Sequence, residues 1–259
     1  MGIEIDKGLH GFIEDDFKVV AESFEHWQPE FDLLCRLHDI YVRLMSLIEI
    51  KEDQFNLPGQ LFLMANNSLY GVTSALLRRR TDDAQALMRR AIEGAGIAYR
   101  VFERPELLKV YQEAYPHVLE EKNPKQFTPT SRYREEFSSA KLFGREGKTW
   151  EHLKTFYDLA SASASHAGIG ALKGQKWKDS YMILPRRETS KVEVGRAWHA
   201  VLHSYWNVLK VFLSMLRGCI RHGMAGVVEE DMKKWLAGYE KLLPERTPWI
   251  PELQLPNNE

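Results

Sequence analysis

Residues 193–221 read EVGRAWHAVLHSYWNVLKVFLSMLRGCIR. At 100° per residue, Arg196, His199, His203, Asn207, Lys210, Ser214, Arg217 and Arg221 fall within roughly 80° of one another. Almost everything else in the stretch is apolar or small, from Trp198 and Val201 to Met215 and Ile220. The pattern predicts a helix of about 28 residues. At 1.5 Å per residue it spans roughly 42 Å and crosses a whole domain with most of its circumference buried. A lone membrane span would not carry this stripe, because a central charge costs about 3 kcal/mol on insertion scales. The stretch therefore reads as the central helix of a soluble bundle.

The stripe holds arginines, a lysine and two histidines, and no acid. Solvent faces usually mix both signs, because Glu–Lys pairs one turn apart are favourable. The plain reading of a charged row is still a narrow solvent face. If the row is buried, it requires acids from a neighbouring helix, an anionic ligand, or a metal on the histidines.

Helical periodicity continues along the rest of the chain, and no strand series stands out. Helices are predicted at about 15–25, 30–52, 60–80, 82–103, 105–121, 149–165 and 227–243. At the junction Arg78-Arg79-Arg80-Thr81-Asp82-Asp83, cations close one helix, Thr81 can cap the next, and acids begin it. That predicts a tight antiparallel hairpin. Pro- and Gly-punctuated segments at 123–148 and 167–191 read as irregular insertions, the first with a short helix at 132–142. Four prolines in 244–259 predict an extended tail. The expected fold is all-α: one domain, 1–259, a bundle of about seven to nine helices around 193–221.

The chain has 259 residues and a net charge of −1, so no global field favours nucleic acid or a membrane surface. Cys35 and Cys219 sit in apolar helical patterns and read as small buried thiols, which suits the cytoplasm. Met1–Asp6 has no apolar signal core. The motifs GxxxxGK[ST], GxGxxG, CxxC and GxSxG do not occur, which removes the best-marked nucleotide, redox and hydrolase classes.

Three sets of residues can carry chemistry. Arg89 and Glu93 stand one turn apart beside Gly94 and Gly96, which permit close backbone approach. Tyr157, Ser161 and His166 lie in a small-residue helix end, FYDLASASASHAG over 156–168. His199 and His203 at i,i+4 can chelate one metal, with Glu93, Asp158 or His166 as a third ligand. Ala200 stands where a zincin would need its Glu.

Arg89-x3-Glu93 and Tyr157-x3-Ser161-x4-His166 resemble the pattern of a bacterial family of all-helical proteins of unknown function. That family is loosely similar in architecture to HEPN (higher eukaryote and prokaryote nucleotide-binding) bundles. The likeness covers about 60–168, and departs at Ala160, where such families show leucine. It implies that Arg89, Glu93, Ser161 and His166 converge. HEPN ribonucleases carry an Arg followed four to six residues later by His. Of the comparable spacings here, Arg196-x6-His203 shares one helix face, whereas Arg217 and His222 lie about 140° apart.

The expected function is binding of a small anionic ligand or a protein partner through a polar cluster, which includes self-association. One alternative is an HEPN-like ribonuclease of a bacterial defence or toxin system, with Arg196 as anion clamp and His203 as general acid/base on RNA. The other is a metal-dependent enzyme using His199 and His203. No organic cofactor is implied.

Overall fold

The computed structural model describes residues 8–114, 129–164, 190–221 and 223–246. Over these the chain is all-α: α1 (Gly8–His26), α2 (Gln28–Leu47), α3 (Asn56–Leu77), α4 (Thr81–Glu103), α5 (Leu107–Gln112), α6 (Ser131–Glu136), α7 (Ser139–Phe143), α8 (Lys148–Ala164), α9 (Lys191–Leu216) and α10 (Ala225–Arg246). Extended pairing among the described residues is limited to one antiparallel bridge, Ile48 with Ile220. No helix among them is long and apolar enough to cross a membrane.

The long helix is central, as its pattern requires. α9 packs against α2, α3, α4 and α8. Trp198, Leu202, Tyr205, Leu209 and Phe212 are buried along its length. Ser190 caps it by accepting a hydrogen bond from the Glu193 amide at 3.4 Å, so the helix begins two residues before the predicted start. Ser190-x-x-Glu193 is the spacing of a capping box. The C-terminal end comes earlier than the predicted 221. A 3-10 turn over Arg217–Cys219 draws the chain into the bridge, where the Arg221 amide donates to Leu47 O at 2.9 Å. Backbone pairing with the end of α2 replaces the last turn of helix.

The hairpin of α3 and α4 forms as predicted, but its turn works differently. Thr81 is the first helical residue, and the cap position falls to Arg80, whose side chain makes no capping bond. The Arg80 amide donates to Ala75 O at 2.8 Å and the Arg79 amide to Leu76 O at 2.9 Å, the two bonds of a Schellman motif. Arg79 takes the left-handed position at φ 56°, where glycine is usual. Its side chain offsets that strain by donating to Ser23 Oγ at 3.0 Å and Glu22 at 3.1 Å. Arg78 and Arg80 both reach Asp16. The arginine triplet therefore latches α1 onto the bundle.

Other boundaries differ where local breakers were overread. The 105–121 prediction reduces to Leu107–Gln112 within the described residues, and 132–142 splits into α6 and α7. Pro58 and Pro244 sit inside helices, so α10 runs to Arg246 and the described part of the predicted tail is helical. Residues 247–259, 123–128 of the first predicted insertion and 167–189 of the second lie outside the described residues. Gly94 does permit a close approach: a Cβ there would lie 2.7 Å from Met64 Cε on α3.

Candidate functional site: a buried polar row and the seam beside it

The solvent-face reading of the stripe is overturned across its middle. His199 and His203 are 1% and 8% exposed, and Asn207 is buried with them. α2, α8 and α10 cover this part of the helix with side chains of their own. Only the end, at Ser214, Arg217 and Arg221, is exposed.

Acids answer most of the row, one from the first turn of α9 itself and the others from elsewhere. Arg196 pairs with Glu193 at 2.7 Å, Arg217 with Glu229 at 2.9 Å and Arg221 with Glu49 at 3.1 Å. His199 takes its acid from α2: its Nε2 lies 3.7 Å from Glu30 Oε1, and Glu30 is 0% exposed. Glu30 sits in the first turn of α2, where the helix dipole favours a carboxylate. On the other side of the ring, His199 Nδ1 shares a 3.2 Å hydrogen bond with the Tyr239 hydroxyl of α10. Burial, then the Glu30 charge, raises the Tyr239 pKa, so the phenol stays protonated. Tyr239 in turn stacks on Trp235, and Trp235 on Trp206.

His203 has different company. Its ring lies 4.6 Å from that of His152 and 5.7 Å from that of Phe156, both on α8. Burial lowers its pKa to about 3, with His152, Lys210 and His199 adding repulsion. His152 is also lowered, chiefly by burial. Asn207 turns its amide back to His203 O at 2.9 Å. Lys210 is half-buried, its pKa lowered by burial. Among the described residues it pairs with no carboxylate, the exception among the cations of the row.

The second cluster lies where α8 packs on α4. Arg89 Nη2 donates to the Tyr157 hydroxyl at 3.2 Å, and its guanidinium carbon stands 5.0 Å from the Tyr157 ring centroid. Phe143 supports that ring at 5.0 Å. Arg89 Nε is buried and, among the described residues, makes no hydrogen bond. Burial raises the pKa of Glu93, with Arg89 opposing. Ser161 Oγ donates to Tyr157 O at 2.7 Å, one turn back on the same helix. His166 lies outside the described residues. Arg89 and Tyr157 thus meet, and Glu93 feels the Arg89 charge. α8 joins the two clusters: His152 and Phe156 face α9, and Tyr157 faces Arg89.

The paired histidines do not act as one unit. His199 turns toward α2 and α10, and His203 toward α8. Among the described residues no group of three His, Cys, Asp or Glu side chains is arranged to hold a metal. Asp158 is exposed and pairs with Lys154. Arg196 and His203 share a face, but seven residues set them about 10 Å apart along the axis.

Glu30, Tyr239 and the facing of His152 were missed in the sequence. Glu30 had a signal: it is in phase with Leu34, Leu37, Tyr41 and Leu44, the core stripe of α2. An acid on an apolar stripe is a buried acid in search of a partner. No family model, no curated protein and no solved structure matches the chain.

Proposed function

We propose that this protein binds a small anionic molecule at the seam of α4 and α8, with Arg89 as the anion-binding group and Tyr157 as its support. The observation that carries this reading is Arg89 itself. It is a half-buried cation whose hydrogen bond goes to a neutral phenol and whose buried Nε has no partner among the described residues. A guanidinium offers five donors in a fixed fork that suits carboxylate or phosphate. Burial shifts Glu93, one turn along, toward its neutral form, with Arg89 opposing, which lessens its competition with an anion for the guanidinium. The two free thiols suit a protein of the reducing cytoplasm.

Ribonuclease and metal chemistry draw less support. His203 is a buried imidazole with a pKa lowered to about 3, poorly matched to acid–base work near neutral pH. The two imidazoles of α9 have separate surroundings.

Thermal unfolding of the full chain with inorganic phosphate, citrate and a nucleoside monophosphate tests the proposal. A bound anion at a hundred times its Kd adds about 2.7 kcal/mol by mass action. The expected result is a rise in Tm with at least one of these, lost in Arg89→Gln. A rise that persists unchanged in Arg89→Gln, or none with any anion, overturns it. The same samples are assayed for cleavage of single-stranded RNA, where activity lost in His203→Ala would favour the nuclease reading.

A further inference from the structure

A concavity lies between α2 and α3. It has a volume of about 460 Å³, within the roughly 300–1,000 Å³ of small-molecule sites. Its floor is apolar, formed by Leu34 of α2 with Leu69 and Leu77 of α3. Tyr70, 61% exposed, stands at the mouth with its ring 5.0 Å from that of His38. None of the residues assigned to the Arg89 seam takes part.

The charges around the groove are not balanced. Arg78, its cation, is committed to Asp16 at 2.7 Å and to Ser74. Asp39, its acid, forms no ion pair among the described residues. His38 Nε2 is buried in the wall and makes no hydrogen bond among them. An unopposed carboxylate and an exposed aromatic ring at the mouth both favour a positive group.

We infer that the groove between α2 and α3 binds a lipophilic amine: an apolar body on Leu34, Leu69 and Leu77, and one protonated nitrogen between Asp39 and Tyr70. An ammonium group pairs with the Asp39 carboxylate and lies against the exposed Tyr70 ring. A fatty acid would place its carboxylate beside Asp39, with Arg78 already held by Asp16. Charge therefore separates amines from anions of the same length.

Cys35 lines the same groove and is exposed, whereas Cys219 is buried. Its thiol pKa is raised by burial and by Asp32 and Asp39, so it reacts slowly enough for protection to be measured. Reaction of the full chain with a small aromatic disulfide is followed with octylamine, octanol or octanoate present, and Cys35→Ser identifies the signal. Octylamine is expected to protect at the lowest concentration, octanol at higher concentration and octanoate least. Asp39→Asn, at an exposed position that leaves the fold intact, brings the amine's midpoint up toward that of the alcohol, by about two- to five-fold. Thr73→Phe fills the groove and removes protection by all three. Equal or better protection by octanoate overturns the inference. So does an unchanged Cys35 rate with every compound, the result expected if the groove serves a protein partner instead.

Discussion

His199 and His203 stand one turn apart on the same face of the same helix, both buried, and they are different objects. His199 is held on both ring nitrogens' sides, by Tyr239 at 3.2 Å and Glu30 at 3.7 Å. His203 faces another imidazole and a phenyl ring, with a lysine's charge nearby. One is embedded in a polar network that includes an acid. The other is a neutral ring kept neutral by its surroundings. Helical phase puts two side chains on one face, but four residues of rise carry them past different neighbouring helices. The identity of the neighbour then decides the chemistry.

The sharpest way to break this contrast is to remove the acid. Glu30→Ala should destabilise the protein by about 3 kcal/mol, because it leaves a cavity and takes the acid away from the buried His199 ring. Urea unfolding measures this, and a loss below about 1 kcal/mol would mean that the network contributes little. Next in size is the pH response of His203. Its folded pKa, about 3, lies below the ordinary 6.5. Below pH 6.5 the unfolded chain takes a proton that the folded chain refuses. The stability is therefore fully present above that pH and is lost as pH falls, at about 1.4 kcal/mol per unit. Between pH 6.5 and 5 the wild type should lose about 1.6 kcal/mol more than His203→Gln, with unfolding free energies compared at both pH values. Identical slopes would sink the assignment. The smallest effect belongs at the exposed end of the same stripe. Arg217→Ala should change stability by no more than about 0.5 kcal/mol, since its Glu229 pair is open to water. A loss comparable to that of Glu30→Ala would erase the distinction between the buried and exposed parts of the row.

Much of the fold was legible. The 3.6-residue pattern located α9, the α3–α4 hairpin and the bodies of α2 and α8, because burying an apolar stripe is a property of each helix alone. Helix ends were less so. Ser190 capping with Glu193 was visible in principle, whereas the end of α9 depends on backbone pairing with Ile48 across the bundle. Cys35 was read as buried from its apolar neighbours and is exposed beside the groove. Of the site, the resemblance implied that Arg89, Glu93, Ser161 and His166 converge; among the described residues it is Tyr157 that meets Arg89. Glu30 was overlooked although its phase on α2 marked it as buried.

From sequence alone came the existence of a central helix, its apolar circumference and the row of polar groups along one side. Those follow from side-chain type and a fixed 100° rotation per residue. Whether the row met water, acids or another ring was decided only when α2, α8 and α10 closed over it. A helix dictates which of its residues share a face, and long-range packing dictates what that face touches. That is why a pattern read as a solvent edge became, at its centre, the most enclosed polar region described in this molecule.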